Sequence, residues 1–575
     1  MENNLKSKLC LWSLRGSLTL LALLPVLPLF VSQHLNPVRS FHDEWLAITL
    51  GLLAWLAALW LLPRAGGIRL PRLVLLPLAL MAFIAVQAQL LPQVNSQHAQ
   101  MGMLYLLWAA LLMALVGLLA EHSGRERVGL WLAGGLTAAA VCATGQEVVL
   151  RLTGLFGWWG GTAQANNYAD LLALGLASVL YLQTVAKPVW RVYLVTLAVV
   201  IIVGLSLTPS RSVWLYWLIL LLLAWRWQRP LVRLLLAGLA LYVLLQVLWA
   251  SGILSALQAT TAAERLYQEV GGAPLRQHIW QVAWQVFLQS PWLGQGFGQF
   301  DWAYFQAGQH IPELSNRMEH AHNVILHLLA ELGIFPVLLL VGLLGFWLRQ
   351  LLVSLNGQHQ DKASDATRAF RLWLLMLAGI LGLHSLLEYP LWYAQFLGLA
   401  AMILALGDDR FWPIRLGGAG IAALSGLLLS GLAIAGVHEW HYTKLEQASE
   451  DAMNDSSPRT FSRLMAVCKE ANSYAPLLTP YIATIFTNAG TPEDEEMRPT
   501  LTTLTEVSYR FLPSSPLAYR QAEMQALNGL TGEAKNTMSL ALNAYPGWAD
   551  KFKAQLTLLS ADDQKKTAFL REMIK

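Results

Sequence analysis

The sequence predicts an all-α polytopic membrane protein with about thirteen transmembrane helices, a large loop on the outer face and a C-terminal helical domain outside the membrane. Three observations lead there. Of 575 residues, 56% are hydrophobic and only 13% charged, and the mean hydropathy is +0.47, values that a water-soluble domain does not sustain. Apolar runs long enough to cross ~30 Å of hydrocarbon recur through the first 437 residues. Past Val437 the charge density more than doubles, with 31 charged side chains in the last 138 residues against 43 in the first 437. The chain therefore divides into a membrane domain, 1–437, and a solvated helical domain, 438–575.

The thirteen runs lie near 11–31, 44–62, 70–90, 101–120, 128–150, 166–186, 189–207, 212–226, 230–250, 322–348, 370–388, 390–407 and 413–437. Lys6, Lys8 and Arg15 flank the first, yet no small-residue cleavage site closes it, so it reads as an uncleaved helix and not a secretion signal. Cations are retained on the cytoplasmic side of a membrane. The N-terminus and the even-numbered loops hold nineteen Lys and Arg, Arg69, Arg125, Arg226, Lys362 and Arg410 among them. The odd-numbered loops hold six: Arg39, Arg151, Arg211, Arg265, Arg276 and Arg317. The N-terminus is predicted inside, and an odd number of spans puts the tail outside, which in a bacterium is the periplasm. One outer loop, 251–321, is about 70 residues long, and its aromatic content predicts that it folds over the outer face. In the tail, 519–529 and 533–547 read as one tetratricopeptide-like helix-turn-helix unit, with a generic helical bundle as the alternative.

A net charge of only +4 with scattered cations argues against a nucleic-acid partner. Cys10, Cys142 and Cys468 lie too far apart for a disulfide framework or a zinc site. No Walker-type glycine loop implies a nucleotide. Polar groups at outer ends of spans carry the functional reading, because such groups are costly at membrane depth. Arg211 sits in the turn 208–212, Arg276 in the long loop, and His320 and His322 open the tenth span. Glu388 and Tyr389 join the eleventh to the twelfth, while Gln164, Asn167 and Asp170 open the sixth. Two outward guanidinium groups suit a lipid phosphate. His322 suits removal of a proton from an attacking hydroxyl.

Each candidate has a structural alternative. Arg211 would anchor its turn at lipid headgroups, a reading disfavoured by the scarcity of cations on that face. Arg276 stands evenly between the two roles. The His320–His322 pair lacks a Cys, Asp or Glu at metal-ligand spacing, so no metal is assigned. Asn323, His327 and Glu331 recur every four residues and predict a buried, hydrogen-bonded stripe on one continuous helix, a supporting part that Asp170 and Glu147 share. For Glu388 and Tyr389, chemistry and the needs of a tight turn stand as equal alternatives. Trp158, Trp159, Trp292 and Trp392 read as membrane-interface aromatics.

His322-Asn323 followed by nine residues and Gly333, the turn Ser210-Arg211-Ser212, and the stretch from Arg276 through Trp280 to 291–298 together resemble the O-antigen ligase and O-linked oligosaccharyltransferase superfamily of the bacterial inner membrane. Pro336 stands where the ligase signature has a small or polar residue. Gln164-Ala-Asn-Asn167, the stretch 387–392 and the outer helical tail resemble the PglL-type enzymes that glycosylate pilins and other periplasmic proteins. The resemblance implies en bloc transfer of a preassembled glycan from an undecaprenyl-diphosphate carrier to a Ser or Thr hydroxyl, without a cofactor or divalent metal. It makes His322 the base and gives the diphosphate to Arg211 and Arg276. Asn323 would orient His322, and Gln164, Asn167, Glu388 and Tyr389 would support or line the cleft. An O-antigen ligase acting on lipid A-core and an O-antigen polymerase share the scaffold. A transporter or flippase is the rival of another class, against which stands the clustering of polar groups at outer ends and not at mid-bilayer.

Overall fold

The computed structural model describes residues 2–31, 38–64, 68–92, 96–155, 159–251, 273–307, 318–356, 365–455, 457–490 and 496–574. Arg265, Arg317, Lys362 and Trp158 lie outside them, as does much of the loop 251–321. The membrane domain runs through α1 (Glu2–Leu23), α2 (Phe41–Ala58), α3 (Leu75–Leu90), α4 (Ser96–Ser123), α5 (Arg125–Leu152), α6 (Ala165–Val185), α7 (Pro188–Leu207), α8 (Ser212–Trp227) and α9 (Arg229–Ala250). The long loop contributes α10 (Ala273–Gln289) and α11 (Phe300–Ala307). Then come α12 (Val324–Leu332), α13 (Ile334–Asn356), α14 (Asp365–Leu387), α15 (Ala394–Gly407) and α16 (Gly418–Asn454). The tail adds α17 (Pro458–Tyr474), α18 (Thr479–Ala489), α19 (Arg498–Phe511), α20 (Ser515–Leu527), α21 (Thr531–Ala544), α22 (Ala549–Leu556) and α23 (Ala561–Met573).

Among the described residues ten helices are long and apolar enough to cross a bilayer. The other three expected spans fall on α1 and on α8 and α15, whose 16 and 14 residues are shorter than the ~20 that a full crossing needs. The tenth expected span is not continuous. Gly333 (φ 74°, ψ −166°) ends α12, and a side chain there would meet the Trp292 carbonyl at 2.5 Å. Gly294 (φ 69°) comes equally close to the Glu331 carbonyl from the other side. The stretch 291–296 is thereby zipped against the break by Gln295 N–H to Ala330 O (2.9 Å), Gly296 N–H to Glu331 O (3.0 Å) and Ile334 N–H to Pro291 O (2.9 Å). Gly-rich 291–298 and Gly333 are two halves of one tight backbone contact.

The loops sort onto two faces. The strands β1 (Ile68–Pro71) and β2 (Phe411–Ile414) pair antiparallel, with Ile68 opposite Ile414. Arg125 reaches Asp409 (2.8 Å) and Arg226 reaches Asn356 (2.9 Å). All of these contacts join even-numbered loops, the cation-rich set. The core between the faces centres on α6, where Tyr168, Leu171, Leu174 and Ala177 are buried and Gly175 packs on Ala140, a small-residue contact of the kind that lets membrane helices approach closely.

Helix α16, with 37 residues, is about 55 Å long and outruns the hydrocarbon, so it passes position 437 and enters the tail unbroken. Phe41, at the start of α2, stacks on its Tyr442 (3.8 Å). In the tail, α20 and α21 form a helical hairpin closed by Gly529 at φ 77°. Phe305 of α11 packs among Tyr509, Ala518 and Tyr519, which docks the long loop on the tail.

Candidate active site

Pro390 prevents α14 from continuing, which leaves Glu388 and Tyr389 in the turn before α15. Glu388 is buried, with 4% of its side chain exposed, and three donors from separate parts of the chain converge on it. His322 places Nδ1 2.7 Å from Oε2. The Arg276 guanidinium donates to Oε1 at 2.6 Å and the Asn166 amide to the same oxygen at 2.8 Å. Burial alone would raise the Glu388 carboxyl, but the His322 hydrogen bond and the charges of His322 and Arg276 outweigh it and hold the group below the ordinary glutamate value.

His322 has φ 50°, left-handed for a non-glycine residue, a conformation that costs ~1–3 kcal/mol and clusters at functional sites. Its neighbours secure it. Asn323 is the N-cap of α12, its side chain accepting from Ile325 and Leu326 N–H at 3.0 and 3.1 Å. The Trp280 indole donates to the Ala321 carbonyl (3.0 Å). His327 accepts from Ala321 N–H (3.3 Å) and faces Glu331 (3.4 Å), whose other oxygen accepts from Phe300 N–H (3.1 Å). His327 and Glu331 are therefore the buried, hydrogen-bonded support that the spacing predicts, whereas Asn323 is half-buried and precedes the helix as its N-cap, and the helix stops at Gly333.

Of the remaining predicted residues, Tyr389 packs against this centre. Tyr389 stacks on His320 (4.2 Å between ring centroids) and meets the His322 ring edge-on (5.3 Å). Arg211 is the N-cap residue of α8. Thr208 of the same turn donates to the Ala165 carbonyl (3.2 Å), one residue before Asn166. Gln164 caps the start of α6, and Asn167 is buried within that helix. It is Asn166, not Asn167, that reaches Glu388, a choice made by helical phase that an asparagine pair in sequence does not reveal. Asp170 faces His384 (3.3 Å) with both side chains fully buried. Glu147 takes Arg151 (2.6 Å) and Gly160 N–H (3.0 Å), which pins the loop before α6, where Trp159 and Ala163 also have positive φ.

Of the tryptophans read as interface aromatics, Trp292 is exposed. Trp159 packs on Arg151 and Tyr168, and Trp392 packs edge-on against His327 (4.7 Å). Trp392 therefore packs within the histidine cluster.

A cavity of about 1420 Å³ opens beside these groups. Leu80, Met113 and Leu344 line its membrane part, His320 and Glu319 its site end, and Tyr481 of the tail its far wall. Among the described residues no group of three or more His, Cys, Asp and Glu side chains converges as metal ligands.

Residues 196–341 match the family model described as O-Antigen ligase, a segment that contains Arg211, Arg276, His322 and Asn323. Residues 372–558 match the model described as virulence factor membrane-bound polymerase, C-terminal, which contains Glu388 and Tyr389. The General O-oligosaccharyltransferase of Acinetobacter baylyi is 26% identical over 411 residues, covering 65% of this chain and 67% of that protein. With ten membrane-length helices among the described residues and these matches across both halves of its site, the chain is similar to the O-antigen ligase and O-oligosaccharyltransferase superfamily of membrane glycan-transfer proteins.

Proposed function

We propose that the protein transfers a preassembled glycan en bloc from an undecaprenyl-diphosphate carrier to a Ser or Thr hydroxyl of a periplasmic protein such as pilin. It would work at the outer face of the bacterial inner membrane, with the N-terminus cytoplasmic and the helical domain 438–575 periplasmic. One observation carries the reading: an imidazole and a guanidinium meet on a single buried carboxylate at the cation-poor face. His322 takes the proton of the acceptor hydroxyl through Nε2 as the oxygen attacks the anomeric carbon. The bond from that carbon to the phosphate oxygen breaks, and the diphosphate leaves with the electron pair. Arg276, whose other N–H groups have no protein partner among the described residues, and Arg211 bind that diphosphate and stabilise its growing charge. Gln164, Asn167 and Tyr389 support the site from the start of α6 and the turn before α15. The apolar part of the cavity holds the polyprenyl chain, whose burial contributes ~0.8 kcal/mol per CH₂.

The test is purified, reconstituted protein carrying His322→Ala, Arg276→Ala or Arg211→Ala. Each is expected to lose at least about 100-fold in transfer, the lower bound for a general base, at unchanged membrane abundance. Full activity of His322→Ala overturns the reading. The second family match supports another use of the same site, joining two lipid-linked glycans, and the first supports lipid A-core as acceptor. The accumulated product separates the three: modified protein, lengthened lipid-linked chains or capped lipopolysaccharide.

A further inference from the structure

We infer that Glu388 is the positioning residue of the site, fixing the tautomer and orientation of His322 while holding Arg276 at a set distance from it. This rests on the reading of His322 as the base and extends it to a residue that touches neither substrate.

Among the described residues the groups bonded to the Glu388 carboxylate are the Arg276 guanidinium and the Asn166 amide on Oε1, and His322 Nδ1 on Oε2. An ionised carboxylate only accepts, so Nδ1 carries the ring hydrogen and Nε2 is left with the lone pair. Among the described residues no hydrogen bond engages Nε2, and 24% of the His322 side chain is exposed. The basic nitrogen therefore faces outward, toward an incoming hydroxyl. When Nε2 takes the acceptor proton the ring becomes a cation, and the carboxylate against Nδ1 is already in place to stabilise it. The balancing negative charge departs on the diphosphate, toward Arg276. One carboxylate thus ties the proton-accepting side of the reaction to the leaving-group side. His322 needs such a tie because its backbone sits at φ 50°, where no helix or strand holds it.

The experiment uses full-length protein in lipid nanodiscs, a polyprenyl-diphosphate-linked oligosaccharide as donor and a serine-containing periplasmic protein as acceptor. Glu388→Gln keeps the shape but removes the charge. It is expected to lower kcat at least about 100-fold while the acceptor KM stays within about 3-fold of wild type. Glu388→Asp, which keeps the charge on a shorter arm, is expected to recover part of the loss. A residue that only supports packing would not be rescued by charge, nor would it separate kcat from KM. Wild-type kcat in Glu388→Gln, with His322→Ala inactive, overturns this inference and leaves the base intact. Full activity of His322→Ala overturns the underlying reading instead. Should Glu388→Gln not accumulate, Glu388→Asp decides: a kcat below wild type at unchanged KM supports the role, and equal loss in both parameters contradicts it.

Discussion

At the scale of single residues, the site depends on a carboxylate that keeps its charge despite burial. Burial pushes the Glu388 carboxyl up, but the His322 hydrogen bond and the charges of His322, Arg276 and His384 outweigh it and hold the group below the usual glutamate value of 4.5. A depressed value means that the charged form stabilises the fold, fully above about pH 4.5 and progressively less as pH falls through the folded-state value. The difference in melting temperature between wild type and Glu388→Gln is therefore expected to shrink as the buffer is taken below about pH 4.5, and a difference that grows over that acid range would contradict the assignment. His322 and Glu388 are visible in sequence as polar residues out of place at the outer ends of apolar runs, and Arg276 as a cation in the long loop of the cation-poor face. Asn166 was hidden behind Asn167, since only the phase of α6 decides which of two adjacent amides points at the α14 turn.

At the scale of elements, α6 and α14 are joined by a ladder of two polar rungs. Asn166 and Asp170 are four residues apart on one helix, and His384 and Glu388 are four apart at the end of the other. The outer rung is Asn166–Glu388 and the inner one Asp170–His384. Two rungs at helical spacing set the register between the helices, and with it the position of Glu388 beneath His322. Asp170→Leu alone leaves a fully buried His384 without its partner, and the expected loss is roughly 3–5 kcal/mol of stability. Asp170→Leu with His384→Leu is expected to recover most of that loss, because the desolvation cost of both groups disappears. Thermal unfolding in detergent checks this, and additive losses in the double variant would remove the ladder as a unit. The break at Gly333 belongs to the same scale. Hydropathy read 322–348 as one helix, and the backbone contact with 291–296 divides it.

At the scale of the whole molecule, the alternation of loops is the organising fact. Contacts among Arg125, Asp409, Arg226, Asn356 and the β1–β2 pair collect the cation-rich loops on one face. Arg276, His322, Glu388 and Asn166 meet on the other. Helix α5 runs between the faces, with Arg127 exposed near one end and Thr153 near the other. In a chain with Cys10, Cys142 and Cys468 replaced, Thr153→Cys is expected to react with a membrane-impermeant maleimide in spheroplasts, and Arg127→Cys only after permeabilisation. Labelling in the reverse order would place the site in the cytoplasm and overturn the proposed donor and acceptor compartments.

By itself the sequence determined the solvent of each part of the chain, because burial in hydrocarbon is a property of run length and composition that needs no partner. It determined the parity of the loops for the same reason, since Lys and Arg bias orientation locally. It also located the polar groups whose cost at a membrane end demands an explanation. Tertiary structure alone decided which of those groups meet. Residues 166, 276 and 322 are brought to the carboxylate of Glu388 by helix phase, by a glycine-to-backbone contact and by the left-handed turn at His322. These are long-range packing choices, and no local pattern of hydropathy or charge encodes them.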